Sequence, residues 1–235
     1  MTQASWGDVS VVLVHGAWAD ASSWRRVIAL LHAEGLPVVA VQNPTTSLGD
    51  DAAATRLALD AAPGPVVLAG HSWGGTVITE AGNHPKVKAL VYVAAFAPGA
   101  GQSTGDQVAA HPPPPGLSGV TDDGHGHFMM STRSWIENVA QDMPEAEARI
   151  LAATQTPLGA ATFSDAVSQP AWAGRPCWYV VSAQDRAVSV ELQRELVSRL
   201  GARSVELAAG HMSLLTHPQA VADVILAAAR EVSGA

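Results

Sequence analysis

The chain has a single cysteine in 235 residues, so no disulfide can form within it. Cys177 sits in the strand-like stretch Cys177-Trp178-Tyr179-Val180-Val181 and reads as a buried structural thiol, because no glycine-bounded turn exposes it as a nucleophile. Charge is also scarce. Charged residues make up 14% of the chain and hydrophobic residues 48%, which excludes the low-hydrophobicity, high-charge composition of disordered proteins. The formal net charge is −8 with only 13 Lys and Arg, and no basic stripe is visible, which disfavours nucleic acid, and none is expected as a partner. No uncharged apolar run reaches the length of a membrane span, and no membrane association is expected. The opening MTQASWGDVSVVLVHG lacks a positive n-region and a separate apolar h-region; its apolar part reads as a core strand, and the cytoplasm is the expected location. No internal repeat is apparent.

What is present is an alternation of strand-like and helix-like segments. Strands are expected over residues 9–14, 36–41, 65–69 and 88–94, and helices over residues 24–31, 50–61 and 76–83. The apolar strands are nearly continuous, as in a parallel sheet covered on both faces, with right-handed crossovers between strands. From about residue 97 to 173 glycine and proline cluster, as in His111-Pro112-Pro113-Pro114-Pro115-Gly116, and two helical pieces are expected over residues 134–139 and 144–154. This segment reads as a helical insertion over one edge of the sheet. Regular order resumes with strands over residues 175–182 and 203–207 and helices over residues 190–200 and 217–232. The expected class is α/β: one domain, residues 1–235, with a mostly parallel central sheet flanked by helices.

Between the third strand and the next helix stands Gly70-His71-Ser72-Trp73-Gly74-Gly75. A serine in Gly-x-Ser-x-Gly at a sharp strand-to-helix turn presents its hydroxyl above the sheet, and small neighbours are needed where the backbone passes close to other chain. The alternative is a serine that merely caps the helix. A serine nucleophile needs an imidazole base, itself oriented by a carboxylate. Functional groups in such sheets collect at the carboxyl ends of strands. Asp185 follows one strand end and His211 another, and the order Ser72, Asp185, His211 suits this architecture. His217, just before Pro218, and His71, beside the serine, are weaker candidates for the base; Glu206, Asp223 and Asp165 are misplaced for the acid. The oxyanion would be held by the backbone N–H of Trp73 and that of Ala17 in the first loop. His15 is expected to be a buried ring bracing that loop.

Together VLVHGAW, GHSWGG, Asp185 and GHMSLLTHP resemble the α/β-hydrolase fold superfamily, and within it the small bacterial esterase-like hydrolases related to plant methyl esterases and hydroxynitrile lyases. The resemblance spans nearly the whole chain. It implies an α/β-hydrolase fold, with residues 97–173 as a cap over the pocket, Ser72 as nucleophile, Asp185 and His211 as its partners, and Ala17 with Trp73 as the oxyanion hole. The lyases of that group carry a threonine where this chain has Gly16 and a lysine near the base, whereas the only lysines here are Lys86 and Lys88. Ester hydrolysis is therefore favoured over cyanohydrin cleavage. A serine at position 72 also disfavours the halide- and epoxide-processing relatives, which need a carboxylate nucleophile.

Trp18 from the first loop and Phe128, Met129, Met130 and Trp135 from the insertion are the expected pocket residues, pointing to an apolar acyl or alcohol group. Asp122-Asp123-Gly124-His125-Gly126-His127 has side chains able to bind a metal, but its glycines suit an ordinary exposed loop. The reading is a serine esterase acting on a small-molecule ester, lactone or thioester with no metal or cofactor. A cofactor-free lyase and a non-catalytic small-ligand binding protein on the same fold are the alternatives. An apolar cap surface would serve either a homodimer or only the shielding of the pocket.

Overall fold

The computed structural model describes residues 6–234. The expectation about a leader turns partly on residues 1–5, which lie outside the described residues. The chain begins with β1 (Ser10–Val14), α1 (Arg25–Ala33), β2 (Val38–Val41), α2 (Leu48–Ala61), β3 (Val66–His71), α3 (Trp73–Ala81) and β4 (Val87–Val93). An irregular segment follows, with α4 (Thr104–Ala109), β5 (Val120–Asp122), β6 (His127–Met130), α5 (Thr132–Ser134), α6 (Glu145–Ala153), β7 (Leu158–Gly159) and α7 (Ala161–Ser164). The regular pattern returns as β8 (Cys177–Ser182), α8 (Val190–Leu200), β9 (Arg203–Leu207), α9 (Ser213–Thr216) and α10 (Pro218–Ser233).

Six strands pair in the order β2-β1-β3-β4-β8-β9, every pair parallel. The inner strands are apolar at successive positions because both faces are covered. Val11, Leu13, Val67 and Ala69 point into one core, shared with α1 and α10. Val12, Val14, Val66 and Leu68 point into the other, under α2, α3 and α8. Among the described residues, no helix is long and apolar enough to cross a membrane.

The segment between β4 and β8 differs from the expectation in three respects. Residues 135–139 form a π-helical turn (Trp135–Val139) in place of an α-helix. The segment also holds a three-stranded antiparallel sheet, β5-β6-β7, that the sequence reading did not contain. Its outer strands are three and two residues long, too short for alternation to show. The third addition, α4, carries a capping box in which Ser103 and Asp106 exchange hydrogen bonds, and Ser-x-x-Asp was a readable signal for it.

The sheet and α3 meet under tight steric limits. A Cβ on Gly74 would lie 2.5 Å from the Val14 carbonyl oxygen and 2.7 Å from that of His15, and one on Gly70 would lie 2.4 Å from the Gly74 oxygen. Gly74→Ala must push α3 away from the end of β1. A loss of about 2 kcal/mol, within the range for overpacked sites, is expected to lower Tm by roughly 4–8 °C, as read by circular dichroism melting.

Candidate active site

Ser72 joins β3 to α3 with φ 53° and ψ −123°, a left-handed region that residues other than glycine rarely adopt. Hydrogen bonds hold the bend: Ser72 N–H donates to Val93 O (3.2 Å), and Ser72 O accepts from Gly75 N–H (2.9 Å) and Phe96 N–H (3.2 Å). Across the gap lies the first loop, where a Cβ on Gly16 would come within 2.8 Å of Ser72 Cβ. The serine is therefore more than a helix cap; its side chain makes no capping hydrogen bond to α3.

Asp185 follows β8, and its Oδ1 accepts the N–H groups of Ala187 (2.8 Å) and Val188 (2.9 Å). Its Oδ2 lies 2.8 Å from His211 Nδ1 and accepts Gln193 Nε2–H at 2.9 Å. A carboxylate only accepts, so Nδ1 of His211 carries the proton and Nε2 is left with a free lone pair. Both residues are buried, and His211 lines the same cavity as Ser72. Neither His211 Nε2 nor Ser72 Oγ forms a hydrogen bond among the described residues. The structure thus brings Ser72 and His211 to one cavity, with Asp185 bound to His211 outside its lining, and does not close the Ser72–His211 contact, the kind that tightens in a substrate complex.

Trp73 N–H, the first amide of α3, and Ala17 N–H have no backbone acceptor, and both residues line the cavity. That pair has the character of an oxyanion site. His15 braces the first loop: its Nδ1–H donates to Gly16 O (2.8 Å) and its Nε2 accepts Asn43 N–H (3.0 Å), with burial holding its pKa down. Asp51 braces the other side, accepting Trp73 Nε1–H and Thr45 N–H, each at 2.7 Å.

His71 is the reverse of a second base. It is fully enclosed, and burial together with the neighbouring His211 holds its pKa well below the ordinary histidine value. Its Nε2–H donates to His211 O (3.0 Å), and its ring lies 4.6 Å from that of His211. His217 contacts Thr216 at the start of α10, outside the cavity. Glu206 is paired with Arg194 on the surface, Asp223 accepts from Gln219, and Asp165 accepts Leu48 N–H. Burial pushes the Cys177 thiol up to about 12, which keeps it protonated. In the Asp122–His127 loop, Asp122 and Asp123 accept backbone N–H groups of Gly124, His125 and His127. No group of three His, Cys, Asp or Glu side chains there or elsewhere among the described residues is arranged to hold a metal.

The cavity is small, about 40 Å³, and its wall is mostly apolar. Trp18, Met130 and Trp135 line it as expected, with Leu158 and Phe163. Phe128 and Met129 do not, which corrects the expectation for those two. Alternation along β6 turns Met129 away from the side that Met130 faces. Phe128 sits a layer back, its ring 5.8 Å from that of Phe163, while its carbonyl accepts Trp18 Nε1–H at 2.9 Å. Sequence reasoning also missed Gln193, whose Oε1 accepts Ser182 N–H while Nε2 holds Asp185. Nor did it find two residues of the insertion that grip the loops carrying Asp185 and His211. Gln141 Nε2–H donates to Gln184 O (2.8 Å), and Asp142 Oδ2 accepts Gly210 N–H (2.7 Å). No sequence periodicity announces such long-range polar contacts.

A model of the alpha/beta hydrolase family matches residues 11–224. A probable hydrolase R7 of Phoma sp. (strain ATCC 20986 / MF5453) is 26% identical over 237 residues, covering 92% of this chain and 96% of the relative. Among solved structures, a pyrethroid hydrolase from Sphingobium faniae JZ-2 superposes with a TM-score of 0.80 at 22% identity, covering 94% of this chain and 97% of that one. Polyneuridine aldehyde esterase superposes with a TM-score of 0.79 at 21% identity, covering 92% and 97% respectively. These two likenesses are of fold.

Burial pushes the Asp51 carboxyl from an ordinary 3.8 up to about 6. The folded protein therefore holds a proton on Asp51 that the unfolded chain has released between roughly pH 4 and 6, and this group's contribution to stability falls as pH rises through that window. Thermal melts between pH 7 and 5 are expected to show wild type gaining stability on acidification relative to Asp51→Asn; parallel curves would contradict the assignment.

Proposed function

The chain is a hydrolase that belongs to the alpha/beta hydrolase family, and from that premise we propose that it cleaves a small, neutral carboxylic ester through an acyl-enzyme on Ser72. The observation that carries this reading is the His211–Asp185 pair, with Nδ1 tied and Nε2 free, opening on the same cavity as a serine held in a strained turn. Ser72 Oγ attacks the ester carbonyl carbon while His211 Nε2 takes its proton. The carbonyl oxygen becomes an oxyanion facing the N–H groups of Ala17 and Trp73. Collapse of that intermediate breaks the bond to the alcohol oxygen, which leaves with the proton from His211. Water then loses a proton to His211 as it attacks the acyl carbon, and the acid departs when Ser72 regains its hydrogen.

Asp185 fixes the tautomer and orientation of His211 and stabilises the imidazolium that forms in each half-reaction. The residues lining the cavity include no Lys, Arg, Asp or Glu, which supports a neutral substrate. We read residues 97–173 as a cap on a single domain, contributing Met130, Trp135, Leu158 and Phe163 to the apolar wall. The esterase and hydrolase activities named for the structural neighbours support an ester as the substrate. The close approach at Gly16 supports hydrolysis over cyanohydrin cleavage, because a threonine there would press on Ser72.

Replacing Ser72 by alanine is expected to lower kcat for short p-nitrophenyl esters by about a thousandfold or more, with the far-ultraviolet spectrum unchanged. A fluorophosphonate probe should label wild type at Ser72, as located by peptide mass spectrometry, and leave Ser72→Ala unlabelled. Undiminished turnover by the variant would refute the assignment.

A further inference from the structure

Besides the reacting Ser72, one hydroxyl-bearing residue lines the cavity: Thr104, the first residue of α4. Three indoles line it too, those of Trp18 and Trp73 with their N–H groups bound to Phe128 O and Asp51, and that of Trp135 with no hydrogen-bond partner among the described residues. Thr104 is buried, and its Oγ1 lies 2.6 Å from Oγ1 of Thr76, which is fully buried on α3 one helical turn beyond Ser72. Neither hydroxyl has another hydrogen-bond partner among the described residues. Two hydroxyls bring two protons, and their mutual contact uses one. The other has no acceptor, and buried donors are rarely left in that condition because an unmade hydrogen bond is expensive.

The two arrangements of the pair differ in where the second proton goes. If Thr104 donates to Thr76, the spare proton belongs to Thr76, which does not line the cavity. If Thr76 donates to Thr104, the spare proton belongs to the residue that does. A ligand in the cavity can complete only the second arrangement.

We propose that Thr104 is a specificity-determining donor, and that the favoured substrates are esters carrying a second, neutral oxygen, a ketone, ether or hydroxyl, that accepts its hydrogen bond. This rests on the ester-hydrolase reading above and narrows its substrate class. The absence of ionic side chains from the lining residues selects a neutral oxygen over a carboxylate. Because Thr76 follows Ser72 by one turn, roughly 5–6 Å of helix, the second oxygen lies a few bonds from the carbonyl under attack.

The test compares near-isosteric pairs: methyl acetoacetate with methyl butanoate, methyl levulinate with methyl pentanoate, and methoxyethyl acetate with butyl acetate. Rates are corrected for each ester's intrinsic lability to hydroxide. For at least one pair, wild type is expected to favour the oxygenated member in kcat/KM by about tenfold. Thr104→Ser should keep that preference and Thr104→Val should lose it. Equal ratios in wild type and Thr104→Val across all three pairs would overturn the proposal. If wild type hydrolyses none of these esters, the ester-cleavage reading is what has failed, and the same pairs are titrated against Ser72→Ala by the fluorescence of Trp18, Trp73 and Trp135, which line the cavity. A tighter Kd for an oxygenated member that disappears on adding Thr104→Val still supports the hydrogen bond; equal affinities overturn it.

Discussion

The site depends on how closely the turn after β3 can approach the loop after β1. Side chains at positions 16, 70 or 74 would each place a Cβ well inside contact distance of neighbouring atoms. With glycine at all three, the backbone closes until Ser72 is forced into its left-handed bend, and until the free amides of Ala17 and Trp73 border one cavity. The strain in one residue is held by hydrogen bonds from β4 and from the chain beyond it, so the turn is over-determined by its surroundings. The proposed nucleophile and oxyanion donors are consequences of the same packing.

Around that contact the protein places a shell of buried polar groups, each assigned one hydrogen-bonding role. His15 and His71 are kept neutral by burial, and their tautomers follow from the carbonyls they bind. A neutral ring at His71 matters to the proposed mechanism because it packs against His211: a cation there would oppose the charge that His211 acquires in that mechanism when it takes a proton. Gln193 keeps Asp185 from turning away from His211, and Asp51 fixes the indole of Trp73. None of these groups reacts in the proposed mechanism, yet together they fix the directions in which the reacting atoms point.

Much of this was legible in the sequence because it follows from local pattern. Continuous β-branched runs mark the inner strands, and the Gly-x-Ser-x-Gly stretch between a strand and a helix marks the turn. Asp185 and His211 stand just past strand ends, where a parallel sheet gathers its functional groups. Legibility failed where structure is short or made by distant contacts. The strands of the insertion are too brief to show alternation, and the π-helical turn at Trp135–Val139 has the apolar spacing of an ordinary helix. Composition does not separate Phe128 and Met129 from Met130, yet of the three only Met130 lines the wall, and Phe163, which joins it there, lies in a four-residue helix without periodic signal. Gln193 and Asp142 act through partners 8 and 68 residues away, which no pattern along the chain encodes.

The grip of Gln141 and Asp142 on the loops bearing Asp185 and His211 makes the insertion more than a cover. Whatever shape its remaining surface takes, those two positions are tied to the geometry of the Asp185–His211 pair. Anyone transplanting a foreign insertion onto this scaffold to change its selectivity would have to carry over the pair as docking pins, or supply equivalents. A graft chosen only for the walls of its cavity would leave the imidazole loop without its anchor.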